Sequence, residues 1–308
     1  MVEHHIPILC NEVVENLILN PEGIYMDCTV GFGGHSEIIL EKLDNKGMLI
    51  GIDIDPYAFK ESKIKLKNNF KNFNLHNCSY IDFPDILEEI KLKKVDGFLF
   101  DLGISSYQVN EAHRGFSYMH DGPLDMRFNP KDNNIKTARE ILNTISISEL
   151  SESIKIFGEE KHYKRISNSI LDAREKGHLD TTFDLKNAIC RVVSQKYEKK
   201  TLSRVFQAIR IISNEEMNTL KGTLKKTFNY LNKGGRIAVI TFHSIEDRII
   251  KHFFKDSVIY KNSTYEIEFK LKEKVFKLVN KKPITANSQE IKDNPRSRSA
   301  KLRIAERV

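Results

Sequence analysis

The sequence predicts an α/β fold, a mostly parallel sheet broken by a helical insertion. Three observations predict it. The first hundred residues alternate short apolar runs with amphipathic stretches, the signature of βαβ units. From about Tyr107 to Lys200 the apolar residues fall instead at helical spacing, as in Ala138, Ile141, Leu142 and Ile145, then Leu150, Ile154 and Phe157. After Gly234-Gly235 the run Arg236 to Phe242 (RIAVITF) has the pattern of a buried strand, so the sheet resumes there.

Taken in order, four strands precede the insertion. Gly23 to Cys28 (GIYMDC) leads into a glycine loop and a helix beginning near Ser36; Gly47 to Asp53 (GMLIGID), Phe73 to Cys78 and Val95 to Asp101 (VDGFLFD) follow. A helix over Arg204 to Met217 precedes the fifth strand. In the tail, Tyr265 to Phe269 and Lys301 to Ile304 alternate in strand fashion and predict an antiparallel hairpin. The expected division is therefore a first sheet segment over 1–106, a helical insertion over 107–212 and a second sheet segment over 213–308.

Composition narrows the function classes. With 40% hydrophobic and 30% charged residues in 308, the chain has the make-up of a folded globular protein. No apolar run approaches the roughly 18 residues of a membrane span, and Met1 to Asn20 carries Glu3, Asn11, Glu12 and Glu15 in place of a signal-peptide pattern, so a cytoplasmic location is expected. Cys10, Cys28, Cys78 and Cys190 show no CxxC spacing, which argues against a zinc site or a disulfide framework; no metal is expected. The net charge of +7 is concentrated: Lys255 to Val308 holds fourteen Lys/Arg against seven Asp/Glu, the whole excess. A basic stretch favours phosphate partners through counterion release, although lysine-rich surface is also common without any partner.

The chemistry-bearing residues cluster at strand ends. In Asp27-Cys-Thr-Val-Gly31-Phe-Gly33-Gly34-His35-Ser36, glycines stand where a cofactor must approach the backbone closely. Asp53 ends the next strand, where a carboxylate can accept both ribose hydroxyls of an adenosine. The dinucleotide pattern GxGxxG needs glycine at position 36, where Ser36 stands, so a nicotinamide cofactor is disfavoured. Asp27, four residues before Gly31, matches instead the acidic start of the methyltransferase loop, whose acid lies near the methionine ammonium of S-adenosylmethionine; Thr29 replaces the first glycine usual there. The bland alternative is a tight turn with a surface Asp53.

Asp101 follows the fourth strand, at the position that faces the methyl acceptor in enzymes of this topology. It has no Pro-Pro-Tyr after it, the sequence common in amine methyltransferases. An exocyclic amine such as cytosine N4 is a poor nucleophile that must shed a proton, and a carboxylate nearby can take it. Asp101 can equally bind cofactor or cap a turn. In Arg114 to Arg127 (RGFSYMHDGPLDMR), Phe116 and Tyr118 can stack on an extruded base and Arg114 or Arg127 can hold phosphate, or the loop can pack on itself. After the fifth strand, His243 is a candidate base or a structural histidine, and Asp247 and Arg248 a candidate ion pair.

Together these motifs resemble the MraW family of bacterial small-subunit ribosomal RNA methyltransferases over nearly the whole chain. The matching stretches are His5 to Leu9, DCTVGFGGHS, DLGISS, RGFSYMHDGPLDMR, Phe157 to Glu160, Arg204 to Ile211, TFHSIEDR, Lys281 to Ile284 and Asn294 to Arg303. The resemblance implies a class I S-adenosylmethionine-dependent methyltransferase, Rossmann-like, with a mostly parallel seven-stranded sheet and an inserted helical domain that recognises substrate. It implies cofactor contacts at Gly33, Gly34, His35, Asp53, Asp101 and Gln108, and one after the third strand at Tyr80, with Ser79 the neighbouring choice. Tyr107 stands where the family has proline. The implied acceptor is the N4 amine of cytidine 1402 in the decoding centre of 16S ribosomal RNA. The implied partner is the small ribosomal subunit or an assembly intermediate, with a homodimer left open and no membrane involved. A DNA or other RNA amino-methyltransferase, a NAD-dependent oxidoreductase and a non-catalytic RNA-binding factor are the competing readings.

Overall fold

A computed structural model describes residues 7–256, 258–261 and 271–308, with the side chains of 258–261 and 271–273 set aside. The expected strand Tyr265 to Phe269 and residues His5-Ile6 lie outside the described residues. The chain divides into two compact units, Met1–Gly103 with Thr219–Val308, and Ile104–Asn218. The borders thus fall at Gly103 and Asn218, not at 106 and 212.

The first part of the sheet unit alternates as the apolar runs do: α1 (Cys10–Leu17), β1 (Ile24–Asp27), α2 (Gly34–Lys42), β2 (Met48–Ile52), α3 (Pro56–Lys67), β3 (Phe73–His76), α4 (Phe83–Glu89) and β4 (Val95–Asp101). The second unit contains α5 (Ser106–Asn110), α6 (Ala138–Thr144), α7 (Ile147–Phe157), α8 (Tyr163–Glu175), α9 (Thr182–Cys190) and α10 (Glu198–Ser213). Helix α11 (Glu216–Tyr230) carries the second border, and β5 (Leu231–Thr241), α12 (Ser244–Asp256), the ribbon β6 (Val258–Lys261) with β7 (Leu271–Lys274), β8 (Phe276–Leu278), α13 (Ser288–Asp293) and β9 (Lys301–Arg307) complete the sheet unit.

Seven strands form one sheet in the order β3-β2-β1-β4-β5-β9-β8. Strands β1 to β5 are parallel, β9 lies antiparallel to β5 from Arg236↔Glu306 to Thr241↔Lys301, and β8 antiparallel to β9. The order reverses between β1 and β4. At such a switch point the loops leave in opposite directions and open a crevice beyond the carboxyl ends, which is where Asp27 and Asp101 sit.

Parallel strands bury both faces, and the period of two divides their side chains between two cores. Phe98 and Phe100 of β4, with Ile50 and Ile52 of β2, face Phe83 and Leu87 of α4, Leu220 and Leu224 of α11, and Ile250 and Phe254 of α12. Leu99 of β4 and Leu49 of β2 face the other way, onto Val13, Val14 and Leu17 of α1 and Ile39 and Leu40 of α2. The helical unit has its own core, in which Leu150 and Ile154 of α7, Ile166 and Ile170 of α8, Leu185 and Ile189 of α9 and Val205 and Ile209 of α10 repeat at helical spacing.

Two elements differ from expectation. Strand β5 begins at Leu231 because Gly234-Gly235 do not end it: its register on β4 jumps from Val95↔Leu231 to Gly97↔Arg236, a bulge. Helix α10 begins earlier than Arg204 and stops at Ser213, short of Met217. Asn214 ends it by donating to Arg210 O (2.9 Å) and Met126 O (2.8 Å) while its carbonyl accepts from Phe128 N (2.8 Å).

Phe98 is fully buried, with its ring 5.1 Å from that of Phe83 at 68°. Phe98→Ala should cost about 3–5 kcal/mol through lost burial and a residual cavity. Calorimetric unfolding checks it, and a change below about 1 kcal/mol would show that the centre of this sheet face does not hold the unit together.

Candidate functional site

Three strand ends and one loop make the site. Gly31 and Gly33 take left-handed backbone angles, φ 54° and 78°, which lets the chain turn from β1 into α2 within a few residues. Asp27, wholly buried, holds that turn from below. Its Oδ1 accepts from Thr29 N (3.1 Å) and its Oδ2 from Ser36 Oγ (2.6 Å). Burial raises its pKa, and the Ser36 hydrogen bond pulls in the opposite direction. The carboxylate therefore ties the loop together with one hydrogen bond on each oxygen.

The loop is also tied sideways. Thr29 Oγ1 accepts from Asp101 N (2.6 Å), and Cys28 N donates to Leu99 O (2.9 Å), which fixes the loop to β4. Gly31 N donates to Asp53 Oδ2 (2.6 Å), Asp55 N to Asp53 Oδ1 (2.8 Å) and Val30 N to Ile52 O (3.0 Å), which fixes it to β2. Asp53 is part-exposed at the strand end. Burial of its carboxyl pushes the pKa up to about 7, against the two backbone donors. Each oxygen has accepted one hydrogen bond and keeps a second lone pair for a ligand hydroxyl.

Asp101 differs from the other two acids in keeping one oxygen without a partner. Its Oδ1 is buried and has no hydrogen-bond partner among the described residues, and its Oδ2 lies 3.6 Å from His35 Nδ1. Burial first, and the charge of Glu246 second, push its pKa up to about 7. His35, 5% exposed, has its Nε2 2.9 Å from the carbonyl of Ile8. Because a carbonyl only accepts, Nε2 carries the ring proton. Burial lowers the imidazole pKa, with Asp27 pulling the other way, so the ring is neutral and Nδ1 is a bare lone pair.

His243 and Glu246 form the start of α12. Glu246, 1% exposed, accepts from Phe242 N (2.9 Å) and His243 N (3.3 Å), while Glu246 N approaches His243 Nδ1 (3.4 Å). His243 Nε2 lies 3.1 Å from Glu246 Oε1 but out of hydrogen-bond alignment. Of the two readings, this arrangement favours the structural histidine. Asp247 binds β9 through Arg303 (2.6 and 3.2 Å) and Lys301 (3.4 Å).

Tyr80 opens a one-turn 3-10 helix after β3, and its ring meets Phe100 edge-on at 5.8 Å. The neighbouring Ser79 hydroxyl accepts from Ile81 N, so that side chain is used as a cap.

In the second unit, Gln108 is buried and closes a capping box on α5: Ser105 N donates to its Oε1 (3.0 Å) and Gln108 N to Ser105 Oγ (3.2 Å). The Arg114 to Arg127 loop packs on itself. Arg114, 3% exposed, donates to Arg127 O (3.1 Å) and Phe128 O (2.9 Å) and lies over the Phe116 ring at 5.7 Å. Arg127 grips Asp125 with both fork nitrogens at 2.8 Å. Phe116 stacks on Phe128 at 5.9 Å, and Tyr118 bonds Ser203 Oγ at 3.0 Å. The phosphate-holding and base-stacking alternatives lose these side chains to internal packing.

Thr29, Ser36 and Glu246 are site residues that sequence reasoning passed over. Two of them left a signal. Thr29 replaces a loop glycine and Ser36 breaks the dinucleotide spacing, and these two departures carry the hydroxyls that bind the loop to β4 and to Asp27.

Comparison with known proteins agrees with the motifs. The pattern of the MraW methylase family spans residues 2–308. The chain is 42% identical to the ribosomal RNA small subunit methyltransferase H of Clostridium botulinum strain Kyoto over 99% of both chains. It is also 42% identical to that of Caldicellulosiruptor bescii over 99% of both, and 40% to that of Fusobacterium nucleatum over 99% of this chain and 98% of the relative.

The raised Asp101 pKa has a consequence for stability. The folded protein holds the Asp101 proton up to about pH 7, while an unperturbed carboxyl loses it near 3.8. Between those values the folded state binds the extra proton, so stability falls as pH rises through the window. Asp101→Asn escapes that loss. Its Tm should exceed the wild-type value by about 2 °C more at pH 8 than at pH 5, measured by scanning calorimetry; an equal difference at both pH values would refute the raised pKa.

Proposed function

Because the chain belongs to the MraW methylase family, we propose that it transfers a methyl group from S-adenosylmethionine to the N4 amine of cytidine 1402 in 16S ribosomal RNA. The observation that carries the chemistry is the partnerless Oδ1 of Asp101 at the switch point of the sheet. The names of the relatives, all ribosomal RNA small subunit methyltransferases, support small-subunit ribosomal RNA as the substrate.

The residues present fit the cofactor. Gly33, Gly34 and His35 offer backbone at the loop, Asp53 offers second lone pairs to ribose hydroxyls, and the Tyr80 ring offers a face to adenine. When bound, S-adenosylmethionine supplies an electrophilic methyl on a positive sulfur. The chain's own task is then to orient the amine and dispose of its proton. The N4 lone pair is delocalised into the pyrimidine ring, so the amine becomes acidic only as the N–C bond forms. A carboxylate with a pKa near 7 and one bare oxygen suits that moment: it is largely ionised at pH 8 and basic enough to accept.

Part of the basic tail is available to RNA. Arg303 and Lys301 are engaged with Asp247, and Arg307 with Leu231 O and the Phe228 ring. Lys281, Lys282, Lys292 and Arg298 are exposed, and phosphate contacts from such residues make binding salt-dependent.

Labelled S-adenosylmethionine and small subunits from cells lacking the enzyme test the reading. One cytidine should gain label at N4, and Asp101→Asn should lower kcat at least about 100-fold. Label on duplex DNA in preference to subunits would assign a different acceptor, and no label with folded protein would overturn the reading.

A further inference from the structure

Besides offering backbone to the loop, His35 presents an imidazole whose two nitrogens meet two different groups. We propose that this imidazole is a positioning residue for the methyl transfer: its bare Nδ1 faces Asp101 Oδ2 and makes the Asp101 carboxylate a stronger acceptor for the proton that leaves the amine. The inference rests on the reading of Asp101 given above.

The geometry sets the direction of the effect. With the ring proton committed to the Ile8 carbonyl at Nε2, the nitrogen 3.6 Å from Oδ2 has a lone pair and no hydrogen. A lone pair facing an ionised oxygen is repulsive. A protonated, neutral carboxyl carries no such repulsion, so the lone pair disfavours the charged form and favours the neutral one. Oδ1 remains the bare oxygen toward which the amine proton can move. The N–C bond forms as the C–S bond breaks, the sulfur leaves as a neutral thioether with the electron pair, and the proton passes from nitrogen to Asp101. It returns to solvent through that residue, whose side chain is 21% exposed.

Other charged groups surround the pair. Asp27 at the end of β1 and Glu290 on α13, whose Oε1 accepts from Leu9 N at 2.7 Å, both act on His35 and favour its protonation. Glu246 on α12 acts on Asp101. The Cys10 thiol, held up to about 12 by burial first and by Glu290 and Asp101 after it, stays neutral. The two carboxylates favour an imidazolium, yet burial outweighs them, and the neutral ring depends on that balance.

Two substitutions separate anchoring from tuning. His35→Gln keeps an N–H near the Nε2 position for Ile8 O and removes the polar atom at Nδ1; His35→Asn does the reverse. If the imidazole tunes Asp101, His35→Gln should lower kcat about tenfold and move the acid limb of the kcat–pH profile down by about one unit, with the cofactor KM within about twofold. His35→Asn should move the acid limb down at least as far, because its amide can turn an N–H toward the ionised Oδ2. In the cofactor-free protein, the Asp101 carboxyl stretch, assigned by its loss in Asp101→Asn, should titrate about one unit lower in His35→Gln than in wild type. An unchanged titration in folded His35→Gln would overturn the proposal whatever the activity. A lowered titration with no methyl transfer by the wild-type protein would instead retain the coupling and remove the proposed function.

Discussion

The site depends on hydrogen bonds that bind one glycine loop to the carboxyl ends of three strands. Strand ends in a parallel sheet diverge with the twist, and the loop after β1 must bridge that divergence while keeping its backbone open. Thr29 to Asp101 N, Gly31 N to Asp53 and Ser36 to Asp27 do this with short contacts of 2.6 Å each. Buried hydrogen bonds to carboxylates are stronger than neutral ones. Here they also convert two acids into parts of a scaffold, so that the third acid, Asp101, is the one left with a bare oxygen.

That division of labour separates what was legible in the sequence from what was not. The order of strands and helices follows from apolar periodicity, and the crevice follows from where the strands end. The β5 boundary was hidden because Gly234-Gly235 resembles a turn until its register with β4 is known. The end of α10 was hidden because an asparagine side chain that reaches Met126 and Phe128 leaves no periodic trace. The bonds of Asp27 to Thr29 N and Ser36 Oγ were hidden for a related reason: a motif records that an acid is present, and not which neighbouring donors it accepts from.

The loop from Arg114 to Arg127 teaches the complementary lesson. Arginines and aromatics in one glycine- and proline-containing stretch suggest nucleic acid on composition alone. A guanidinium nonetheless satisfies its donors equally well on backbone carbonyls and lies flat on a phenyl ring, and Arg114 does both. Plain exposed lysines such as Lys281, Lys282 and Lys292, with Arg298, carry positive charge near residue 300. These carry no pattern beyond their charge, so composition points to them where motif reasoning does not.

The hydrogen bond from Leu9 N to Glu290 Oε1 joins positions 281 residues apart, one residue from the carbonyl that orients His35. A ribosome adds roughly 5–20 residues each second, so the early segment waits many seconds for its partner after it emerges. During that interval the first four strands can pair, since they are neighbours in sequence, but Leu9 N lacks the Glu290 carboxylate that accepts from it. The protein therefore acquires its finished centre only after Glu290 has been synthesised.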